Sequence, residues 1–419
     1  MFSRIRSLYT PDIWASFLGQ VMSALGIFMI FPFLTLYLNK HLNIPLMTTM
    51  AVVSIAPATG FLAGLAAGAF ADRFGRKPAM MLSLLGLAIA MVLYGYARNA
   101  VEFAAITAIE GMFSALYRPA LNARVTDVVT EERRAEVFSF LRVGFNMGAA
   151  VGPAIGAFLL MTEPRLLFDI AATCVTLTAA IVWVLVPESK PAGRDTSRLV
   201  DPPGPGPVGS VALRGPHRCG PLGEYRLIIV LTLLNVPVAL LYAQAGTSLP
   251  IHLSHHFTNY THVIAVLYLF GAGMVTFFQM IISRLLKNVA AWIVIAFSFL
   301  AFAIASFGYG WAPSVGILLA NEFVFTIGEM IGVPQLSHIV SLIAPEDKRA
   351  SYFAIFGLRM SLGEIIGPLL GGWLMTTVGG GNLFRITGLL ILAGGVGTIL
   401  VVRRPQLAKP ARLETNLRP

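Results

Sequence analysis

Four glutamates stand where a carboxylate is costly. Glu110, Glu322, Glu329 and Glu364 each lie inside an apolar run long enough to cross a bilayer, and ionisable groups at that depth are expensive and usually functional. Three arginines, Arg118, Arg142 and Arg359, have the same surroundings. The seven together carry a formal charge of −1, so simple pairing leaves one acid without a partner. A carboxyl held away from water without a partner favours its neutral form. Such a group can carry a proton and couple movement of a solute to a pH gradient. Glu322 and Glu329 are seven residues apart, two helical turns, and so face the same way. The alternative for each acid is a structural ion pair, for instance Glu364 with an arginine on a neighbouring helix. Arg142 and Asn146, one turn apart, could contact a substrate or tie helices together.

The composition says what positions these groups. Of 419 residues, 56% are hydrophobic and 12% charged, with a mean hydropathy of +0.77. Soluble domains carry about 25% charge, so lipid is the expected solvent. These figures exclude a disordered chain and a small disulfide scaffold. Cys174 and Cys219 supply neither a disulfide framework nor a thiolate metal site. Apolar runs of about 20 residues predict twelve spanning helices, with approximate cores at 13–38, 46–71, 79–97, 101–123, 136–161, 166–186, 227–252, 263–283, 289–309, 313–341, 350–376 and 383–402. The basic start, Met1–Thr10, leads into the first span without a small-residue cleavage site, so that span reads as uncleaved.

Orientation follows from the cations in the connections. Twenty-three of the thirty Lys and Arg residues, Arg124 counted among them, fall at the termini or in the even-numbered loops. The other face has Lys40, Arg98, Arg165 and Arg385. This bias places both termini and the central loop in the cytoplasm. It also assigns the net charge of +10 to a surface beside anionic lipid rather than to nucleic acid.

The longest polar stretch contains PPGPGPVG at 202–209 and reads as a linker. The expected organisation is a six-helix bundle over 1–186, a cytoplasmic linker over 187–225, a second six-helix bundle over 226–402 and a cytoplasmic tail over 403–419. Shifting the sequence by 215 residues aligns Glu131–Thr162 with Glu346–Thr377, and ten of the thirty-two positions are identical. Two repeated six-helix halves with a site between them, near mid-membrane, are the architecture of a rocking transporter.

Between spans two and three the chain reads Gly68-Ala-Phe-Ala-Asp72-Arg73-Phe-Gly75-Arg76-Lys77. Gly75 permits a tight reversal. Asp72 can accept backbone N–H groups at a neighbouring helix N-terminus, and Arg76 can pair with a carboxylate on another helix end. Together they form a latch between helix ends in one state of a two-state cycle. The loop resembles the signature of the major facilitator superfamily, and twelve spans, a linker and matched halves extend the resemblance over essentially the whole chain. The resemblance implies an all-α membrane fold in which Asp72 caps span eleven near Ala350 and Arg76 pairs with Asp127. It also places spans one, four, seven and ten around the central cavity, which makes Glu110, Glu322 and Glu329 cavity residues. The counterpart in the second half, Ser283-Arg284-Leu-Leu-Lys287-Asn288, is degenerate.

Span five carries Gly144, Gly148, Gly152, Pro153 and Gly156, and span eleven carries Gly363, Gly367, Pro368, Gly371 and Gly372. Glycines every four residues let a neighbouring backbone come close, and proline kinks the helix. The pattern also resembles the antiporter motif of the drug:proton exporters in this superfamily, with Ala157 in place of the last glycine of span five. One departure stands out. The exporters' span-four arginine is replaced here by Thr107, with Glu110 and Gly111 following, so that proton-relay role does not transfer; Arg118, two turns below, could substitute. The expected cavity wall is aromatic and sulfur-rich: Phe28, Met29, Phe31, Phe33, Met112, Phe113, Tyr117, Tyr242, Phe323, Phe325 and Met330. Polarizable side chains of this kind adapt to varied ligands.

His252, His255, His256 and His262 cluster between spans seven and eight. They could sense external pH or bind a metal; without defined ligand spacing they read as a solvated loop. The leading expectation is a proton-driven exporter of small amphipathic compounds in a bacterial inner membrane. It would be a monomer needing no cofactor beyond the proton gradient, with partners limited to lipid, protons and substrate. The alternative is a proton-coupled importer or facilitator of a metabolite such as an organic acid, held by the arginines. An enzyme or receptor is disfavoured by the lack of H-E-x-x-H and G-x-S-x-G motifs and of any soluble domain.

Overall fold

In hydrocarbon every backbone polar group must be satisfied within its own segment, so the apolar runs fold as helices. The computed structural model describes residues 10–188, 225–286, 289–311, 313–345 and 348–403. Most of the expected linker (189–224) and tail (404–419), and residues 1–9, lie outside the described residues. Among the described residues, twelve helices are long and apolar enough to span a membrane. They are α1 (Pro11–His41), α2 (Leu46–Phe74), α3 (Arg76–Tyr94), α4 (Ala100–Val128), α5 (Glu131–Thr162), α6 (Pro164–Leu185), α7 (Arg226–Gly246), α8 (Tyr260–Leu285), α9 (Ala291–Trp311), α10 (Val315–Ile343), α11 (Arg349–Thr377) and α12 (Gly380–Val402).

Two spans depart from a plain run, each at a proline. α7 was expected to continue to 252, but it stops at Gly246, and a separate short helix follows over Ser248–Ser254. The Pro250 ring has no room against the carbonyl four residues earlier, that of Gly246. Pro32 interrupts α1 in the same way, and that span ends in a π-helical turn over Tyr37–His41.

Packing repeats between the halves. α1 lies on α5 and α6, α2 on α4, and α3 on α4 and α6; α7 lies on α11 and α12, α8 on α10, and α9 on α10 and α12. The 215-residue offset extends to single hydrogen bonds. Ser83 Oγ donates to the Phe113 carbonyl at 2.6 Å, and Ser298 Oγ donates to the Gly328 carbonyl at 2.8 Å. Asn99 caps α4, and Ser314, at the same offset, caps α10.

The halves meet through α2 with α11 and through α5 with α8. Their close contacts lie at the face opposite the Gly68–Lys77 loop. There Gly372 of α11 sits against Met50 and Met47 of α2. Gly246 of α7 abuts the Phe31 ring of α1, and Thr261 of α8 donates to Met161 Sδ of α5 at 2.9 Å. Toward the loop face, the positions where side chains would stand on Gly64, Gly68 and Gly357 look into open space. Close contacts join the halves at the far face, while Gly64, Gly68 and Gly357 border open space toward the loop face.

Candidate functional site between the two halves

Each half holds one glutamate against a tyrosine at the far end of the preceding helix. Tyr94, the last residue of α3, donates to Glu110 Oε2 at 2.5 Å and lies 2.9 Å from Thr107 Oγ1. Tyr309 of α9 donates to Glu322 Oε2 at 2.6 Å. Tyr94 and Tyr309 are 215 residues apart, and so are Thr107 and Glu322. The residue standing where the exporters keep an arginine is thus the counterpart of Glu322. Glu322 also lies beside Gly271 and Thr326 and within electrostatic reach of Glu329.

Nearer mid-membrane the charges are arranged across the halves. Arg142 of α5 lies within electrostatic reach of Glu329 of α10, and Arg118 of α4 within reach of Glu364 of α11. Both arginines are exposed. Among the described residues none of the four glutamates and none of these arginines forms an ion pair. The expected alternative of simple structural ion pairs is therefore not the observed arrangement. The Tyr242 hydroxyl faces Glu329 but makes no hydrogen bond of good geometry. Arg359 donates to the Phe356 carbonyl at 2.7 Å and lies 3.7 Å over the Phe356 ring. Asn146 is half-buried one turn from Arg142.

The expected aromatic wall is only partly a wall. Met29, Phe33, Tyr117, Phe325 and Met330 are packed in the interior, whereas Phe31, Met112 and Phe323 are exposed. Each six-helix bundle needs large side chains for its own core, and five of the eleven are packed there.

A family model for the Major Facilitator Superfamily matches residues 16–328 and 231–419. The chain belongs to the Major Facilitator Superfamily. It is similar to the uncharacterized MFS-type transporter YhjO of Bacillus subtilis (strain 168), 27% identical over 96% of each chain. It is also similar to the multidrug resistance protein MdtH of Shigella sonnei, 24% identical over 85% of each. Among solved structures, a POT family transporter in complex with 5-aminolevulinic acid aligns with a TM-score of 0.77 at 16% identity, over 95% of this chain and 96% of that one. That likeness shows the fold.

In this major facilitator the loop motif is built tightly. Gly75 has φ +103°, a conformation that favours glycine, and a side chain there would meet Glu188 Oε1 at 2.8 Å. Arg76 is bonded to Asp72 and donates from Nε to Asp127 at 3.2 Å. Among the described residues Asp72 bonds to Arg76 and does not reach α11, where the expected cap would lie. Arg73 lies 5.4 Å over the Phe74 ring, and Lys77 Nζ donates to the Trp183 carbonyl at 2.7 Å.

The glycine motifs serve packing within each half. Side chains on Gly148, Gly152 and Gly156 would strike α1, as at Leu25 O, 2.9 Å from Gly152. Side chains on Gly363 and Gly367 would strike Ala239 and Ala243 of α7, and one on Gly371 would strike Ser248 just beyond it. Pro153 and Pro368 lie inside their helices at matching places.

Two features differ from the sequence expectation. Arg124, counted as a loop cation, is inside α4 and fully buried; it donates to Asp12 Oδ2 of α1 at 2.8 Å. Its spacing of seven from Tyr117 and fourteen from Glu110 puts the three on one face of α4, a signal present in the sequence. His252, expected in a solvated loop, is 5% exposed and packed against Phe384.

Proposed function

We propose that this protein is a proton-coupled exporter of small amphipathic compounds that works by alternating access. The observation carrying the reading is that, among the described residues, Glu329 and Glu364 of the second half and Arg142 and Arg118 of the first form no ion pairs. Closing the loop face would bring these partners together; opening it leaves carboxylates free to exchange a proton for cargo. A cationic or neutral amphipath that needs the carboxylate competes with the proton, and mutual exclusion at one site is what produces exchange. The family likeness to a protein named for multidrug resistance, MdtH, supports the same reading.

In this proposal the loop face is cytoplasmic, as the distribution of cations requires, and both termini lie on that side of a bacterial inner membrane. The protein works as a monomer, with no cofactor but the proton gradient.

A second reading, proton-coupled import or facilitated passage of an organic acid, has its own support in the exposed arginines Arg118 and Arg142. An anion that occupies the arginines releases the carboxylates to take up protons, so cargo and proton would travel together. The sign of coupling separates the two. In everted vesicles holding an acid interior, an exported amphipathic amine should dissipate the gradient in proportion to transporter content. Proton movement in the same direction as a carboxylate, with no response to amines, would replace the first reading by the second.

A further inference from the structure

The Ser248–Ser254 helix sits where the two halves are sealed. It packs at once against the Leu34–Leu36 turn of α1 and against α7, α8, α11 and α12. His252, near its end, is wedged between elements. Its ring lies 5.7 Å from the Phe384 ring and 4.5 Å from that of His256, approaches the Tyr309 backbone, and would collide with any side chain on Gly380. Its Nε2 is buried and makes no hydrogen bond of good geometry. A buried polar nitrogen with no partner is costly, so this packing persists only while the ring is uncharged.

The charged and titratable surroundings are one-sided. From its own segment come His255 and His256, whose Nδ1 lies 2.9 Å from the His252 carbonyl. From the end of α1 come Lys40, whose charge acts on His255, and His41, which stacks on Tyr37. α8 contributes His262, which is exposed; α12 contributes Arg385, which donates to Asn382. α9 contributes Tyr309, whose hydroxyl is bonded to Glu322. Among the described residues no carboxylate contacts the cluster. Burial first, then the neighbouring His256 and His255, hold the His252 imidazole down to about 4. Burial and Lys40 lower His255 as well.

We propose that this histidine cluster is an external-pH switch on the far-face seal, in which proton uptake lifts the Ser248–Ser254 helix off α1 and shifts the transporter toward its outward-open state. The proposal rests on the orientation given under Proposed function and is independent of cargo and of the direction of transport.

The sign follows from linkage. In the sealed state His252 stays neutral; once the helix lifts, water reaches the ring and its affinity for protons returns to that of an ordinary histidine, near 6.5. The open state therefore binds the proton more tightly. The seal keeps its full advantage above pH 6.5 and loses it progressively down to about 4. Between pH 7.5 and pH 5.5, His252 alone raises the open-to-sealed ratio about tenfold. Repulsion among His255, His256 and Lys40 adds to this.

Pulsed electron paramagnetic resonance tests the switch in full-length protein in nanodiscs. Spin labels are placed at Val101→Cys on α4 and Trp311→Cys on α9, two exposed far-face positions in opposite halves, with Cys219→Ser. The long-distance population should rise about tenfold relative to the short one between pH 7.5 and 5.5. In His252→Gln the ratio should stay within about twofold over that range. His255→Asn and Lys40→Gln, both at exposed positions, should each blunt it. A flat wild-type ratio overturns the proposal, as does a full response in His252→Gln. Should His252→Gln fail to fold, an unaltered response in the two exposed variants overturns it instead. Labelling of Val101→Cys by an impermeant maleimide on intact cells checks the orientation separately, so a failure there is distinguishable from a failure of the switch.

Discussion

The Tyr309 hydroxyl donates to the Glu322 carboxylate across 2.6 Å, joining the far end of α9 to the first turns of α10. One repeat earlier Tyr94 donates to Glu110 at 2.5 Å and lies 2.9 Å from Thr107, the position that matches Glu322. A hydrogen bond to a charged group inside a protein is worth roughly 1.5–3 kcal/mol. Tyr309→Phe should therefore change the proton affinity of Glu322 by roughly ten- to a hundredfold and lower transport at the wild-type optimum. The check is the pH profile of transport in proteoliposomes, which should move by about one to two pH units. An unmoved profile would take Glu322 out of the proton path.

Fully buried Arg124 of α4 pairs at 2.8 Å with half-buried Asp12 of α1, and Arg124 Nε has no partner. Removing one member of such a pair strands the other charge, at a cost of about 3–5 kcal/mol. Asp12→Asn should thus be clearly less stable to heating in detergent than wild type. Asp12→Leu with Arg124→Met should recover most of the loss, because two apolar residues of similar size need no compensation. A double variant as unstable as the single one would assign the pair a role beyond packing.

Much of this fold is legible in the sequence because lipid simplifies the rules. Long apolar runs give the twelve helices, and the Glu131–Thr162 repeat gives the halves. The misses were local and had physical causes. The break at Gly246–Ser248 follows from Pro250, whose ring constrains a residue four places earlier, which hydropathy does not register. Arg124 was counted as a loop cation because a lone charge near a helix end is usually solvated; only the opposing Asp12 on α1 explains its burial. His252 was assigned to solvent for the same reason. The four glutamates were found by depth alone, but Tyr94 and Tyr309 passed as ordinary aromatics until their shared 215-residue offset and hydroxyl partners came into view.

Asp72 is bonded to Arg76 while the loop face is open. In the proposed cycle, closure brings Asp72 to the start of α11, where a carboxylate is favoured by the helix dipole. Asp72→Asn should slow turnover about tenfold or more, because it weakens one of the two states of the cycle. Substrate dissociation constants, measured by equilibrium binding, should stay within about twofold, because the loop lies away from mid-membrane. A large rise in the dissociation constant would place Asp72 in the binding site.

The account stands or falls on proton movement through the carboxylates, and one measurement tests it most directly. Purified protein is reconstituted into liposomes loaded with a pH-sensitive dye, and an amphipathic amine is added under an imposed gradient. Wild type and the single variants Glu110→Gln, Glu322→Gln, Glu329→Gln and Glu364→Gln are compared at equal folded content. The account predicts substrate-dependent proton flux in wild type and its loss in at least one folded variant. Wild-type flux in all four variants would contradict it.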